Sequence, residues 1–392
     1  QVGSLVTAQT RGCFPATGRI VVGWTSIDPT AVVNLAARSI QGFATTSTVT
    51  SKMWSGCPGC PYKTFAAFYA YYGDLDYADK WVSAALAGTS LTYTNGQVAD
   101  FATYNADKTR VDAAKKGSAF MNVWMYVIRE FEDAIDDCSF TSIDNNYGSA
   151  HAWDEGVAFY TGSLEGTDGS GSGKMPYALA DKRCVNYGTC LDTSAVAHGG
   201  SGSESHSGTS KVNGELFALF AQGQSYLHGS QCGLVRPVLN RIIQLMSIPL
   251  IQGTLRYAYK MGANGPAGSA AWAVTSDSFL KSNAEGAAFA FAVLPLVNNC
   301  SAADATIIYN AMKLGGDFLT VDSSMAVKEA FERNYPCLGI VCADIGGLNV
   351  AGGLLTAGDA FGVTCTDPGP TVVNIVNNVT RDVEVEVATM SG

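Results

Sequence analysis

The stretch that decides the fold is FMNVWMYVIREFEDAIDD, residues 120–137. Its large apolar residues recur at the three- and four-residue spacing of a helix that faces a core: Phe120, Trp124, Val127, Phe131 and Ile135. The same periodicity continues on both sides of this stretch and predicts further helices. They are expected over 30–43, 63–72, 77–86, 111–137, 150–163, 213–228, 234–261, 276–298, 302–313 and 324–334. The chain is therefore predicted to be mainly α-helical.

A local repeat predicts that the helical part of the chain is duplicated. Glu155-Gly-Val-Ala-Phe159 matches Glu285-Gly-Ala-Ala-Phe289, and each segment follows a longer predicted helix by a similar interval. The 392 residues also exceed the usual domain length of about 100–200 residues. We predict a duplicated helical bundle with one repeat over 29–165 and a second over 213–345. Gly/Ser-rich loops with a small cysteine clamp are expected between them, over 166–212.

The two ends of the chain have a different pattern. Residues 1–28 are predicted as a strand segment, with a short strand near Val21. Residues 346–392 are predicted as a Gly-rich segment followed by a β tail, because apolar and polar residues alternate with period two from residue 371 onward. The partner of the tail is expected to be either the N-terminal strand or another molecule.

Composition and missing motifs exclude several classes of function. Charged residues make up 15% of the chain and the net charge is −10, so no cationic surface is available for a nucleic acid. No apolar run reaches the roughly 18–20 residues that cross a bilayer, and we expect no transmembrane segment. A nucleophile elbow with a base, a Walker loop and a dinucleotide fingerprint are all missing from the sequence. We therefore expect that the protein is not an enzyme.

The cysteines indicate the compartment. Eleven are present, and only one close pair has the spacing of a zinc knuckle, so disulfides are favoured over a zinc ribbon. The close pairs are Cys57 with Cys60, Cys184 with Cys190, and Cys337 with Cys342. Disulfides form in oxidising compartments, which predicts a secreted protein in the extracellular or periplasmic space or the cell wall. The start at Gln1 and two N-glycosylation sequons, at Asn299 and Asn378, agree with secretion.

The best group of chemically active residues lies in the predicted helix after the quoted stretch. His151 and Glu155 are four residues apart, which places them one above the other on one helix face. Nitrogen and oxygen ligands from neighbouring helices of a bundle form carboxylate-bridged iron and manganese sites. Glu130, beside the apolar stripe of the preceding helix, is the predicted partner, and Asp133 and Asp154 are further possible ligands. The alternative is a structural His–Glu pair.

The acids of two other regions are given a structural interpretation. Glu132, Asp136 and Asp137 are interpreted as a solvated acidic helix end. In the second repeat, Glu285 is present but Lys281 replaces the histidine, so Glu285 is expected to pair with a base. The second repeat is then a structural copy without the site.

The motif around His151 resembles a known family. The segment His151-Ala-Trp-Asp-Glu-Gly-Val-Ala-Phe-Tyr160, after a helix with Arg129-Glu-Phe-Glu132, resembles the Fe-assimilating, or high-carbon-dioxide-inducible periplasmic, proteins of green algae. It is more distantly similar to the bacterial imelysin and EfeO iron-uptake proteins, which are duplicated helical bundles. The resemblance implies iron binding outside the cell through His151 and Glu155. The chain has His-x-x-x-Glu where imelysins have Gly-x-His-x-x-Glu, and the resemblance does not include the tail from residue 371.

Two hypotheses for function follow. The first is a secreted protein that captures ferric or ferrous iron through the predicted site and presents it to a membrane iron transporter. The second is a self-assembling structural subunit of an extracellular coat or fibre, which exchanges strands through residues 371–392.

Overall fold

Helices make up most of the residues that the computed structural model describes. The structure describes residues 20–21, 32–33, 41–45, 62–104, 107–138, 148–162, 175–191, 210–262, 277–314, 321–350 and 353–354. Within them the α-helices are α1 (Lys63–Tyr72), α2 (Tyr77–Ala87), α3 (Asp107–Lys116), α4 (Trp124–Cys138), α5 (Ser149–Thr161), α6 (Pro176–Tyr187), α7 (Lys211–His228), α8 (Cys232–Met261), α9 (Asp277–Cys300), α10 (Ala302–Met312), α11 (Val321–Leu338) and α12 (Cys342–Ile345). The prediction of a mainly α-helical bundle is confirmed.

Three short antiparallel pairs of strands accompany the helices in the described chain. They are β1 (Ile20–Val21) with β2 (Val32–Val33), β3 (Ser90–Thr92) with β4 (Val98–Asp100), and β5 (Asn349–Val350) with β6 (Gly353–Leu354). Residues 32–33 are therefore in a strand and Gln41–Phe43 forms a 3-10 helix, so the helix predicted over 30–43 is wrong there. The β-branched pair at 32–33 suits a strand, and it pairs with Ile20–Val21. The predicted β tail from residue 371 lies outside the described residues.

The long helix predicted over 111–137 is divided into segments. A π-helical segment, Gly117–Val123, lies between α3 and α4. A Cβ atom at Gly117 would lie 2.3 Å from Cδ1 of Trp81, so the glycine allows the backbone to approach the fully buried indole ring. Trp81 in turn donates a hydrogen bond from Nε1 to the carbonyl oxygen of Ala113, at 3.1 Å. Periodicity cannot predict this change of helix type, because it depends on a contact with another helix.

The core is centred on α8 and α9. Every residue from Ala284 to Pro295 in α9 is buried, as expected for a helix that is apolar on all sides. Hydrogen bonds from large aromatic side chains connect the first predicted repeat to these helices of the second: Trp124 Nε1 donates to the carbonyl of Met246 at 3.1 Å, and Tyr72 Oη to the carbonyl of Phe291 at 2.5 Å. One continuous cluster of buried apolar residues includes both predicted repeats.

Helix α6 corrects the prediction of loops over 166–212. Pro176 occupies the first helical position, where its missing N–H has no cost, and Gly188 ends the helix with a left-handed φ of 67°. The Cys184–Cys190 disulfide joins the last turn of this helix to the residues just beyond its end. The clamp is therefore present as predicted, but it fixes the end of a helix. The low-complexity sequence on both sides concealed the helix from the sequence analysis.

The candidate cysteines that the structure describes are all in disulfides. Cys184 is bonded to Cys190, as the predicted clamp requires, and Cys337 is bonded to Cys300 and not to Cys342, its neighbour in sequence. Cys342 takes part in another disulfide. A bond between Cys138 and Cys232 joins the end of α4 to the start of α8 across 94 residues. Proximity in sequence fails as a guide here because antiparallel helices bring distant ends together. Cys57 and Cys60 lie outside the described residues.

Helix α8 is long and apolar enough to cross a membrane by length and composition. It is the one such helix in the described residues, and 67% of its most apolar window is buried inside the fold. The core helix of a globular bundle has the same properties. The expectation of no transmembrane segment therefore stays a prediction.

Candidate metal centre

The predicted site lies where α4 and α5 cross. Gly156 of α5 faces the ring of Phe131 in α4, and a Cβ atom at Gly156 would lie 2.7 Å from Cε1 of that ring. The glycine therefore brings the two helix backbones close together. Glu130 and Glu155 directly precede these two residues in sequence, and the charge of Glu155 raises the pKa of Glu130.

Glu130 is the buried member of the site. Its side chain is 1% exposed, and Oε2 accepts an ion-paired hydrogen bond from Nη1 of Arg129 at 2.8 Å. Oε1 accepts no hydrogen bond. Burial raises the pKa of this carboxyl above its usual value, and the charges of Glu155 and Asp133 raise it further, against the opposing effect of Arg129 and a hydrogen bond from Tyr126. One carboxylate oxygen is thus buried without a donor.

Both carboxylate oxygens of Asp133 already have a partner. Arg129 Nη1 lies 3.0 Å from Oδ2, and the hydroxyl group of Tyr62 donates to Oδ1 at 2.5 Å. Burial and this hydrogen bond raise the pKa of Tyr62, so its hydroxyl group stays protonated and remains a donor. Asp133 therefore positions Arg129, which in turn holds Oε2 of Glu130. Arg129 was not among the predicted site residues, although its i,i+4 spacing to Asp133 is typical of an ion pair on one helix face.

His151 and Glu155 form the second part of the site. Nε2 of the histidine lies 3.4 Å from Oε1 of the glutamate, and the two side chains are 48% and 33% exposed. The predicted placement on one helix face is confirmed. Asp154 has a different environment: its Oδ1 accepts a hydrogen bond at 2.9 Å from Nε2 of Gln224, in α7.

The remaining acids of α4 differ from one another. Glu132 is fully buried, and its carboxylate accepts hydrogen bonds from the backbone N–H of Thr64 at 3.0 Å and from Arg236 at 2.9 Å. The interpretation of Glu132 as solvated is wrong, because it caps the start of α1 from another helix. Burial, followed by the charges of Asp133 and Asp136, raises the pKa of Asp137 to about 6. The end of α4 is therefore a region of negative potential.

In this structure the five predicted ligands do not form one group. His151 with Glu155 and Glu130 with Asp133 form two pairs, the second joined by Arg129. Across the described residues, no three His, Cys, Asp or Glu side chains stand in positions that could hold a metal ion. Comparison of the chain with family models, curated proteins and solved structures finds no match in any of the three.

The corresponding crossing in the second predicted repeat has opposite chemistry. Gly286 of α9 faces Tyr257 of α8, where a Cβ atom would lie 2.7 Å from the tyrosine Cβ. The hydroxyl group of Tyr257 donates a hydrogen bond to Oε2 of Glu285, which is 8% exposed. The negative charge of Glu285 also interacts with one base, Lys116, because it raises the pKa of that lysine. Glu285 is therefore satisfied by a hydroxyl group and a nearby ammonium group.

Proposed function

We propose that this chain is a secreted protein that captures iron outside the cell and presents it to a membrane iron transporter. The observation that carries the proposal is the buried Oε1 of Glu130, which accepts no hydrogen bond. An unsatisfied buried acceptor costs about 1–3 kcal/mol, and more when the group is charged. Buried charges in proteins are paired or coordinate metals. A bound cation would remove this cost.

The proposed iron ligands are Glu130 Oε1, Glu155 and His151. The last two side chains are partly exposed, so an ion bound to them would remain in contact with solvent. Asp133 is left out because both of its oxygens are occupied, and its role is to hold Arg129 on the other oxygen of Glu130. Asp154 is left out because it is bonded to Gln224.

The chemistry of this set suits iron as transported cargo. Two carboxylates and one imidazole favour iron or manganese over copper(I), which prefers sulfur ligands. Only three protein side chains would bind the ion, so water would fill the other positions and could be replaced by ligands of an acceptor. Such a site favours exchange over storage. The resemblance of residues 151–160 to Fe-assimilating proteins supports the same cargo.

Location outside the cell is supported by two features. The described chain contains disulfides at Cys138–Cys232, Cys184–Cys190 and Cys300–Cys337, and disulfides persist in oxidising compartments. The sequon residue Asn299 is exposed on the last turn of α9, where a glycan can be attached. Glycan analysis of the protein from its native source would test this part of the proposal.

Calorimetric titration with Fe²⁺ under nitrogen tests the site. Glu130→Gln keeps a polar group beside Arg129 but removes the charge, and we expect it to weaken iron binding at least tenfold. A combined His151→Ala and Glu155→Ala variant should have the same effect. Asp154→Asn is the matched control, since it removes an acid beside Glu155 that lies outside the proposed ligand set. Equal affinity in all four proteins would refute the site.

The pH dependence gives an independent test. Because the pKa of Glu130 is raised, protons compete with the metal at a higher pH than they would at an ordinary glutamate. Iron affinity in the wild type should therefore decrease as the pH is lowered from 7 to 5 in the titration. The residual binding of Glu130→Gln should change less over this range, and a steeper change in the variant would contradict the assignment.

A further inference from the structure

A group of basic side chains surrounds the crossing of α8 and α9. We call it the basic cluster, and its members come from α3, α6, α8 and α9: Lys116, Lys182, Arg183, Arg256, Lys260 and Lys281. The whole chain has only 24 Lys and Arg residues against 34 Asp and Glu. Six like charges in one place are therefore a marked departure from the average of this surface.

Two aromatic rings fix the geometry of the cluster. The rings of Phe289 and Tyr257 are stacked, with centroids 6.0 Å apart. Lys116 Nζ and Arg183 Cζ lie 5.6 and 5.4 Å from the Phe289 centroid. On the other ring, Arg256 Cζ and Lys260 Nζ lie 5.7 and 5.5 Å from the Tyr257 centroid. Four cations are thus held around one pair of rings.

Two carboxylates lie beside the cluster. Asp112 lies 2.7 Å from the ammonium group of Lys115 and 3.4 Å from that of Lys281. Glu285 accepts the hydrogen bond of Tyr257. Asp112 is therefore shared with a lysine outside the cluster.

The pKa values of two lysines agree with this grouping of positive charges. Burial lowers the pKa of Lys116 to about 8, Arg183 and Lys182 lower it further, and Glu285 and Asp112 oppose the effect. Burial also lowers the pKa of Lys260 to about 8, with contributions from Arg256, Arg183, Lys281 and Lys182. Like charges and desolvation both disfavour the ammonium form, and the opposite charge of a bound anion would favour it.

We propose that the basic cluster binds a small tetrahedral oxyanion of the phosphate or sulfate type. Lys116, Arg256 and Lys260 are partly exposed, which gives an anion access from solvent, while Arg183 is buried behind them. Guanidinium groups offer paired N–H donors to such an anion, and ammonium groups add point charges. The site lies at the crossing that corresponds to the iron site in the other repeat, with the charge reversed. It does not depend on iron binding.

Calorimetric titration with sodium phosphate and sodium sulfate, at constant ionic strength in chloride, tests the proposal. We expect both anions to bind the wild type and to bind Lys116→Gln and Lys260→Gln at least tenfold more weakly. Lys313→Gln is the matched control, because Lys313 Nζ also lies over a tyrosine ring, 5.6 Å from the Tyr309 centroid, and has no place in the cluster. Binding of phosphate alone would also support the site, and would restrict it to phosphate.

Two results would overturn the proposal. One is no binding of either anion to the wild type at a concentration on the order of 10 mM, which would nearly saturate even a site with a Kd of about 1 mM. The other is equal binding by the wild type and both cluster variants. The pH dependence with sulfate, whose charge is constant, gives a third readout: affinity should fall as the pH rises through about 8, where Lys116 and Lys260 lose their charge. Affinity that does not change with pH contradicts the assignment to these lysines.

Discussion

The substitution Gly156→Ala tests the close crossing that positions the proposed iron site. A new Cβ atom would lie 2.7 Å from Cε1 of Phe131, although ordinary contacts begin at 3.4 Å. The ring cannot move aside easily, because it is fully buried and packs against Trp153 at a centroid distance of 4.4 Å. Helices α4 and α5 must therefore move apart by several tenths of an ångström.

The expected effect combines two opposing contributions. Overpacking of a dense core costs about 1–3 kcal/mol, and replacing glycine by alanine inside a helix gains about 1 kcal/mol. We expect a net loss of up to about 2 kcal/mol in the free energy of unfolding, which lowers the Tm by up to about 2–3 °C. Since the two carboxylates at the crossing would also separate, iron affinity should decrease in the same variant.

Thermal unfolding followed by circular dichroism measures this loss. Gly233→Ala is the matched control: this glycine is exposed in the first turn of α8, and a Cβ atom there meets nothing within 4 Å. The control should therefore be as stable as the wild type or gain up to about 1 kcal/mol. If Gly156→Ala is as stable as Gly233→Ala, the crossing is looser than the structure indicates and the reasoning fails.

Two further predictions concern disulfides and buried charge. Replacing both Cys138 and Cys232 by serine opens a loop of 94 residues, which should cost about 4 kcal/mol in the free energy of unfolding. The same change at Cys184 and Cys190 opens a loop of six residues and should cost about 2 kcal/mol. Equal losses in thermal unfolding would contradict this order. Lys116→Met should stabilise the protein by about 1–2 kcal/mol at pH 7. Because the pKa of Lys116 in the folded state is about 8, below its usual 10.5, the unfolded state binds more protons between these values. Wild-type stability from this group should therefore rise over that range, and denaturant titrations at pH 7 and pH 10 should show the advantage of the variant shrinking.

Periodicity located the helices that pack one apolar face on the core. The prediction for α1 has the same ends as the helix in the structure, and α5, α7 and α8 begin within two residues of their predicted starts. Such helices carry their own signal, because one face must be apolar wherever the helix packs. Helix α6 carried a weaker signal between low-complexity segments, and its boundaries come from Pro176 and Gly188.

The proposed site was only partly visible in sequence. The i,i+4 pair of His151 and Glu155 follows from helix geometry alone. The burial of Glu130 and its unsatisfied oxygen do not, since they depend on which helix covers that face of α4. For the same reason Glu132 was misread: its donors lie in α1 and α8, 68 and 104 residues away in the chain.

The sequence by itself determined the helical class, the partnership of His151 with Glu155 and the choice of Cys184–Cys190, because each depends on neighbours within a few residues. Only the tertiary structure decided which acids are buried, which distant cysteines are joined and where basic side chains gather. These properties depend on how helices cross, and the crossings are set by close contacts such as that of Gly156 with Phe131. The local sequence pattern predicts which face of each helix is apolar, and only packing determines which other helix that face contacts.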